Sequence, residues 1–407
     1  MIMLRNSMGS STMLTEFLNA HTDDASFFFS SPTVTLLTQG IAAEFSQQVK
    51  FSELDTHISK LLESAKEEGN DNPIAVGVIP FSEHNPVHFI VPERLITTSP
   101  IRPDKVLDID GCNDCHPSSI QPIPTPTEYM HSVELATHRC SQENIALDKV
   151  VLSRTMQVDT QDEIDRARFL KTLLKQNPGG YTFSTRIGGS HSDAYLMGSS
   201  PELLVSRKGP HVCSNPLAGS RRRCENASMN QQQGELMMES SKDLHEHAVV
   251  VDAVEKALQP WCHNLYVPMV PSVIERTKAM LHLSTRIEGT VSDANTSVLK
   301  LASALHPTPA VCGYPTAQAY DFISQVEPFD RGYFTGLVGW VDARGNGEWV
   351  VVIRCAEVEK KRIRVYAGAG IVSGSEPQSE LEETGNKMRT VLNALGIEIR
   401  ENMEVVQ

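Results

Sequence analysis

Apolar positions along this chain alternate between two rhythms. Residues 45–67 (FSQQVKFSELDTHISKLLESAKE) carry the spacing of an amphipathic helix that stops before a Gly-Asn-Asp-Asn-Pro turn. IAVGVIPF at 74–81 is a continuous apolar run of strand length, halted by Ser-Glu-His-Asn-Pro. Further helices are expected over 127–147, 160–176, 228–258, 295–305 and 378–395. Thr160 is the expected N-cap of the second of these, three residues before Glu163, and Pro178-Gly179-Gly180 ends it. Strands are expected at Lys149-Val-Val-Leu, YTFSTRIG, AYLMGSSPELLVSR, GEWVVVIRCAEVE and RIRVYAGAGIV. Long strands in tandem, with helices between runs of them, give an α+β class rather than strict βαβ alternation.

The length of 407 residues suits two domains or one large one. Pro117, Pro122, Pro124 and Pro126 mark an extended connection, either an interdomain linker or a crossover inside one domain. Thirty-six Lys and Arg against 50 Asp and Glu give a net charge of −14. That balance excludes a basic face for nucleic acid or for an anionic membrane surface. No apolar run reaches the roughly 20 residues of a membrane helix, and the start lacks a signal-peptide core. A cytoplasmic protein with reduced thiols at its eight scattered Cys is expected.

Three short strings imitate known chemistry. Cys112-Asn-Asp-Cys115-His116 spells a haem-attachment site, but that chemistry needs export, and one CxxC is thin evidence for zinc. Gly368-Ala369-Gly370 lacks the third Gly of a dinucleotide fingerprint, though its backbone can approach a partner closely. Asn226-Ala-Ser228 and Asn295-Thr-Ser297 spell glycosylation acceptors, irrelevant to an unexported chain.

Two acidic helical segments have more to offer. Asp243 and Glu246 share one helix face, as do Glu380 and Glu383. Such pairs are either solvated faces or four oxygen donors for a hard cation, Mg²⁺ before zinc. Arg354 interrupts the apolar run VVVIRCA, so it either joins a buried ion pair or clamps a ligand carboxylate. Lys387 lies four residues after Glu383 on the same face. Lys149 opens an apolar run and could serve as a base if it points into a closed site. Glu202, behind Ser200-Pro201, is either a turn carboxylate or a general acid.

Nine strings occur in a fixed order: KVVLSR, SPELL, NPLAGS, KDLHEH, HPTPAVCGYP, EPFDRGYFTGLVGW, GNGEWVVVIRCA, YAGAGIV and ELEETGNKM. Together they closely resemble the chorismate-utilising enzymes, strongest over residues 120–395. The resemblance implies a single catalytic domain over 21–400, two packed antiparallel sheets surrounded by helices, and a flexible tail over 1–20. It makes the Pro-rich stretch internal. By motif position it implies Mg²⁺ ligation by Glu246 and Glu383, with Asp243 and Glu380 acting through water. Arg354, Lys387 and the backbone of Gly368, Ala369 and Gly370 would hold the substrate's carboxylates. His282, Ser220 and Ala310 would line the pocket, Lys149 would be the base and Glu202 the acid.

Within the family, Ala218 stands where the aminodeoxychorismate branch has a nucleophilic Lys. Lys149, and Ala310 in place of a Thr, point to water rather than ammonia as nucleophile. The strings look most like isochorismate synthases of catecholate-siderophore pathways. Salicylate synthases and menaquinone-pathway isochorismate synthases are the alternatives. Cys312 departs from a usual Ser. The resemblance further implies chorismate as substrate, no glutamine amidotransferase subunit and a monomer.

Overall fold

The computed structural model describes residues 25–66, 70–101, 115–142, 147–189, 192–224, 226–274 and 280–397. The expected tail over 1–20 and Cys112 lie outside the described residues.

Among these residues eight helices form: α1 (Phe51–Ser64), α2 (Pro126–Cys140), α3 (Arg166–Gln176), α4 (Ala227–Glu239), α5 (Ser241–Leu258), α6 (Val298–Leu305), α7 (Thr316–Val326) and α8 (Pro377–Ala394). Several begin later than the apolar spacing suggests. Ala43–Gln47 is a strand paired with Val87–Val91, so the first helix starts at Phe51 rather than residue 45. Thr160 ends a long strand, and Asp165 caps α3 by accepting from the Arg168 N–H. The span 228–258 is two helices, because Ser240 ends α4 and its hydroxyl caps α5 at the Asp243 N–H. Asn226 and Ser297, read as parts of glycosylation sequons, are the N-caps of α4 and α6.

Two apolar strings break into two strands each. Tyr195–Ser200 and Leu203–Lys208 flank Pro201-Glu202 and lie in different sheets. Gly347–Val351 and Cys355–Val358 do the same around Val352-Ile353-Arg354. Pro201 has no N–H for a ladder. Arg354, at φ 52°, leaves the extended region altogether.

All strand pairs among the described residues are antiparallel. The ten-stranded sheet runs Gly313–Tyr314, Lys149–Thr160, Arg362–Val372, Cys355–Val358, Tyr195–Ser200, Tyr181–Arg186, Ala25–Ser30, Thr35–Gln39 and Arg94–Thr98. The Pro-rich stretch is its remaining strand, Pro117–Ile123, paired with Lys149–Thr160. The nine-stranded sheet runs from Cys262–Tyr266 through Leu203–Lys208 and Gly347–Val351 to Ala43–Gln47. A small third sheet, not foreseen in the sequence, joins Leu217–Arg222, Met280–Ser284 and Ser272–Ile274.

Phe27, Phe29, Phe183 and Leu196 of the first sheet pack against Val76, Val78, Val338 and Val350 of the second, forming the core between them. The outer faces are covered by helices: α3 and α8 on the first sheet, α1, α5 and α6 on the second. Helices α2 and α7 close over Val150, Leu152, Ala369 and Ile371. Among the described residues no helix is long and apolar enough to cross a membrane.

Candidate active site

Both sheet-switching segments end at one cavity, part of it open to solvent. Glu202 and Arg354 line it, each at a crossover between sheets and each at least 95 % buried, with exposures of 3 % and 5 %. The two crossovers are tied together. The Ser199 N–H donates to the Arg354 carbonyl at 3.1 Å, and the Val351 N–H to the Glu202 carbonyl at 3.2 Å. Burial pulls the Arg354 guanidinium down to about 10, while the Glu383 and Glu202 charges oppose the fall. His282, from the small sheet, sits 3.4 Å from Arg354 Nη2, and Arg354 Nε has no protein partner. A buried guanidinium with an unused N–H is equipped to receive an anion.

Lys149 is 1 % exposed and donates to Glu246 Oε1 at 2.9 Å. Its position depends on Gly370, which pairs with Val151 on the neighbouring strand. A Cβ at Gly370 would lie 2.5 Å from Glu246 Oε1 and 2.9 Å from Lys149 Cε, so only glycine leaves room for the pair. Gly368 and Gly370 line the cavity. Ala369 does not: its side chain faces the opposite side of the strand, in the core beneath α2.

The remaining charges come from α5 and α8. Glu383 accepts from Lys387 at 2.5 Å and from the Ser220 hydroxyl at 2.9 Å. Gly219, at φ 76°, puts the irregularity into Leu217–Arg222 that separates Ala218 from Ser220. Lys387 also donates to the Gly368 carbonyl at 2.9 Å. Burial alone would raise the Glu383 carboxyl, but Lys387 and Ser220 outweigh it and hold Glu383 below the usual carboxylate range. Asp243 pairs with Arg221 at 3.3 Å and Glu380 with Lys242 at 3.0 Å. Burial and the Glu383 charge raise Glu380, with Lys242 opposing. Burial works against the Lys242 ammonium, yet Glu380, Glu246 and Glu383 outweigh it and raise its pKa.

The structure therefore brings Glu202, Ser220, Glu246, His282, Ala310, Arg354, Gly368, Gly370, Glu383 and Lys387 to one cavity wall, with Lys149 held against Glu246. Asp243 and Glu380 sit behind that wall rather than on it. Among the described residues no three His, Cys, Asp or Glu side chains converge as a ready metal-ligand set. Each of the four carboxylates instead faces its own Lys or Arg. The donor set still suits a hard cation. It offers oxygen donors only, and Glu246, Glu380 and Glu383 all act electrostatically on the single ammonium of Lys242. The Cys312 thiol is fully buried, points to the Thr316 carbonyl at 3.6 Å, and is pushed up to about 12 by burial.

Spacing and motif position did not single out Phe334, Thr335, Ile353, Tyr366 and Val311, which also line the cavity. Thr335 has a φ of 62°, and Phe334 stacks on Tyr366 with ring centres 5.0 Å apart. Phe334 and Thr335 lie in the motif EPFDRGYFTG and the other three in neighbouring motif strings, but no charge or spacing distinguished these positions within them.

The profile described as chorismate binding enzyme matches residues 112–396. The vibriobactin-specific isochorismate synthase of Vibrio cholerae is 44 % identical over 402 residues, covering 98 % of this chain and 99 % of that protein. Isochorismate synthase DhbC of Bacillus subtilis is 43 % identical, covering 91 % of this chain and 94 % of that protein. A solved structure from Bacillus anthracis, assigned as a 2,3-dihydroxybenzoate-specific isochorismate synthase, superposes with a TM-score of 0.88 at 43 % identity. It covers 94 % of this chain and 99 % of that one. With a fold, a cavity and a full-length likeness that agree, this chain belongs to the chorismate binding enzyme family.

Proposed function

We propose that this protein is an isochorismate synthase, an isomerase that converts chorismate to isochorismate in a pathway leading to 2,3-dihydroxybenzoate and a catecholate siderophore. The observation that carries this reading is the meeting of Glu202, Arg354 and Lys387 at one cavity, with Lys149 bonded to the cavity-lining Glu246. Full-length likeness to isochorismate synthases supports the same conclusion.

Chorismate carries two carboxylates, and the two cations suit them. Arg354, rigidly set at a crossover, would take one in bidentate fashion, and Lys387, anchored on the Gly368 carbonyl, would help to hold the other. Lys149, as the base, would accept a proton from the water that attacks ring carbon 2. Protonated Glu202 would give a proton to the hydroxyl leaving carbon 4. The ring double bonds shift between those carbons. One water enters and one leaves, so no redox partner is required. Burial of both groups excludes bulk water that would compete with the directed one.

Glu246 and Glu383 would hold Mg²⁺, with Asp243 and Glu380 assisting through water. Bound there, Mg²⁺ would offset the charge of the ring carboxylate and take up the negative charge of Glu246 that otherwise faces Lys149. The reading places the enzyme in the cytoplasm, working alone without a glutamine-hydrolysing subunit.

The test is incubation with chorismate and Mg²⁺, followed by chromatography of the products. Isochorismate as the main product supports the assignment. Salicylate and pyruvate formed as fast as chorismate is lost would make the enzyme a salicylate synthase instead.

A further inference from the structure

The strand Lys149–Thr160 is paired along one edge with Arg362–Val372 over nearly its full length. Its other edge has two short partners. Gly313–Tyr314 covers Val150 and Lys149, and Pro117–Ile123 ends opposite Thr155. Between them, over residues 151–154, no strand among the described residues runs alongside. Buried backbone groups in such a gap need partners from elsewhere.

The Cys312 carbonyl accepts from the Val151 N–H at 2.8 Å, and two side chains meet the Val151 carbonyl and the Ser153 N–H. Arg331 Nη2 donates to the Val151 carbonyl at 2.7 Å, and Glu327 Oε1 accepts from the Ser153 N–H at 2.7 Å. One donor and one acceptor facing residues two apart is what a single residue of a parallel neighbouring strand would offer. The two side chains are locked to each other by two contacts, Nε to Oε2 at 2.8 Å and Nη2 to Oε1 at 2.6 Å. Arg331 Nη1 reaches the Val311 carbonyl at 2.8 Å and the Thr335 hydroxyl at 3.3 Å, and the guanidinium lies 4.5 Å from the Phe81 ring centre.

The pair is almost completely buried, at 2 % and 5 % side-chain exposure. A buried ion pair is seldom a net gain over well-packed apolar residues, so its worth lies in the geometry it imposes. That geometry concerns the cavity. Val151, Val311 and Thr335, the residues that Arg331 holds, all line it. Lys149 is two residues before Val151 and on the same face of the same strand.

We propose that Glu327 and Arg331 are positioning residues for the reaction: as a side-chain substitute for a missing strand residue, they fix the segment carrying Lys149 and the facing Val311 and Thr335 walls at the distance that proton transfer needs. This rests on the assignment of Lys149 as the base. Arg354 and Lys387, proposed to hold the substrate's carboxylates, stand on other elements. Loss of the pair should therefore slow turnover without weakening binding.

The full chain carrying Arg331→Lys or Glu327→Gln is compared with Arg207→Lys. Arg207 is a buried guanidinium of similar kind, bonded to the carbonyls of Gly209, Arg344 and Ala294 outside the cavity. Folded fraction, kcat, KM for chorismate and deuterium uptake of a peptide spanning 149–155 are measured for each. The expected result is a kcat per folded molecule lower by about ten-fold or more, with KM within about two-fold. Faster exchange in the 149–155 peptide should accompany it, while Arg207→Lys keeps its kcat. If Arg331→Lys fails to fold, Glu327→Gln, which preserves volume and an acceptor oxygen, decides the matter. Unchanged kcat per folded molecule, or a loss of kcat no larger than that of Arg207→Lys, overturns the proposal. Lys149→Ala is assayed alongside. Full turnover there would remove the base assignment itself, whereas an inactive Lys149→Ala beside fully active Arg331 and Glu327 variants would remove only the positioning role.

Discussion

The cavity has two unlike sides. On the helix side, α5 and α8 are regular, and their charges come in matched pairs: Lys149 with Glu246, Arg221 with Asp243, Lys242 with Glu380 and Lys387 with Glu383. Part of this side is open to solvent: the Lys242 side chain is 43 % exposed. On the crossover side, Glu202 and Arg354 sit where the backbone leaves one sheet for the other, held by main-chain bonds and, for Arg354, a positive φ. The difference teaches a division of labour. Paired side chains can exchange partners when a cation or substrate arrives. Groups set by irregular backbone are preorganised and cannot.

The sharpest way to break this comparison is to remove the proton-transfer groups, one from each side. Lys149→Ala and Glu202→Gln should each lower kcat by about a hundred- to ten-thousand-fold. Glu202→Gln should still bind chorismate, measured by calorimetry. Near-normal turnover in either variant contradicts the assignment for that residue.

Next in size is the affinity term on the crossover side. Arg354→Met should raise KM by about ten- to a hundred-fold, the range expected for losing hydrogen bonds to a charged group. Its response to Mg²⁺ should stay intact. A KM unchanged from the parent would move the carboxylate contact elsewhere.

The helix side should answer to metal instead. Mg²⁺ at about a hundred times its Kd should stabilise the fold by about 2.7 kcal/mol, read as a rise in Tm. Glu246→Gln and Glu383→Gln should abolish that rise, while Glu202→Gln should keep it. The same rise in all three would place the metal outside α5 and α8. Gly370→Ala should sharpen the boundary between the sides. Its methyl group would push Lys149 and Glu246 apart, at a stability cost of about 1–3 kcal/mol and with loss of turnover.

The smallest effect lies outside the cavity. His306 is buried, its ring nitrogen donates to the Pro80 carbonyl at 3.0 Å, and burial lowers its pKa to about 4 from 6.5. The unfolded chain therefore binds a proton below pH 6.5 that the native state refuses until about pH 4. Stability must fall as pH drops through that window, by about 2 kcal/mol at pH 5 from this group. His306→Gln should flatten that part of the Tm–pH curve.

The two sides also differ in how much of them can be read from sequence. The carboxylate pairs of α5 and α8 follow from local spacing, because residues three apart share a helix face. Lys387 follows in the same way, four residues after Glu383, but the other cationic partners do not: Lys149 and Glu246 are 97 residues apart, and only the fold joins them. On the crossover side, AYLMGSSPELLVSR reads as one strand because alternation does not register a change of sheet. The signal that a switch occurs is only Pro201, and at Arg354 a charge inside an apolar run. The break between α4 and α5 was hidden for a similar reason. It rests on Ser240 alone, with no Gly or Pro to mark it. Thr335 and Tyr366 were illegible because their place at the cavity is set by tertiary packing, as was the role of Arg331 in a strand gap that no local pattern reveals.

The central claim is that a water molecule, activated by Lys149, attacks ring carbon 2 while the original hydroxyl leaves carbon 4. Turnover of chorismate in oxygen-18 water tests it most directly. The account predicts isochorismate carrying one solvent-derived oxygen, at carbon 2. Unlabelled isochorismate, formed by migration of the original hydroxyl within the substrate, would contradict it.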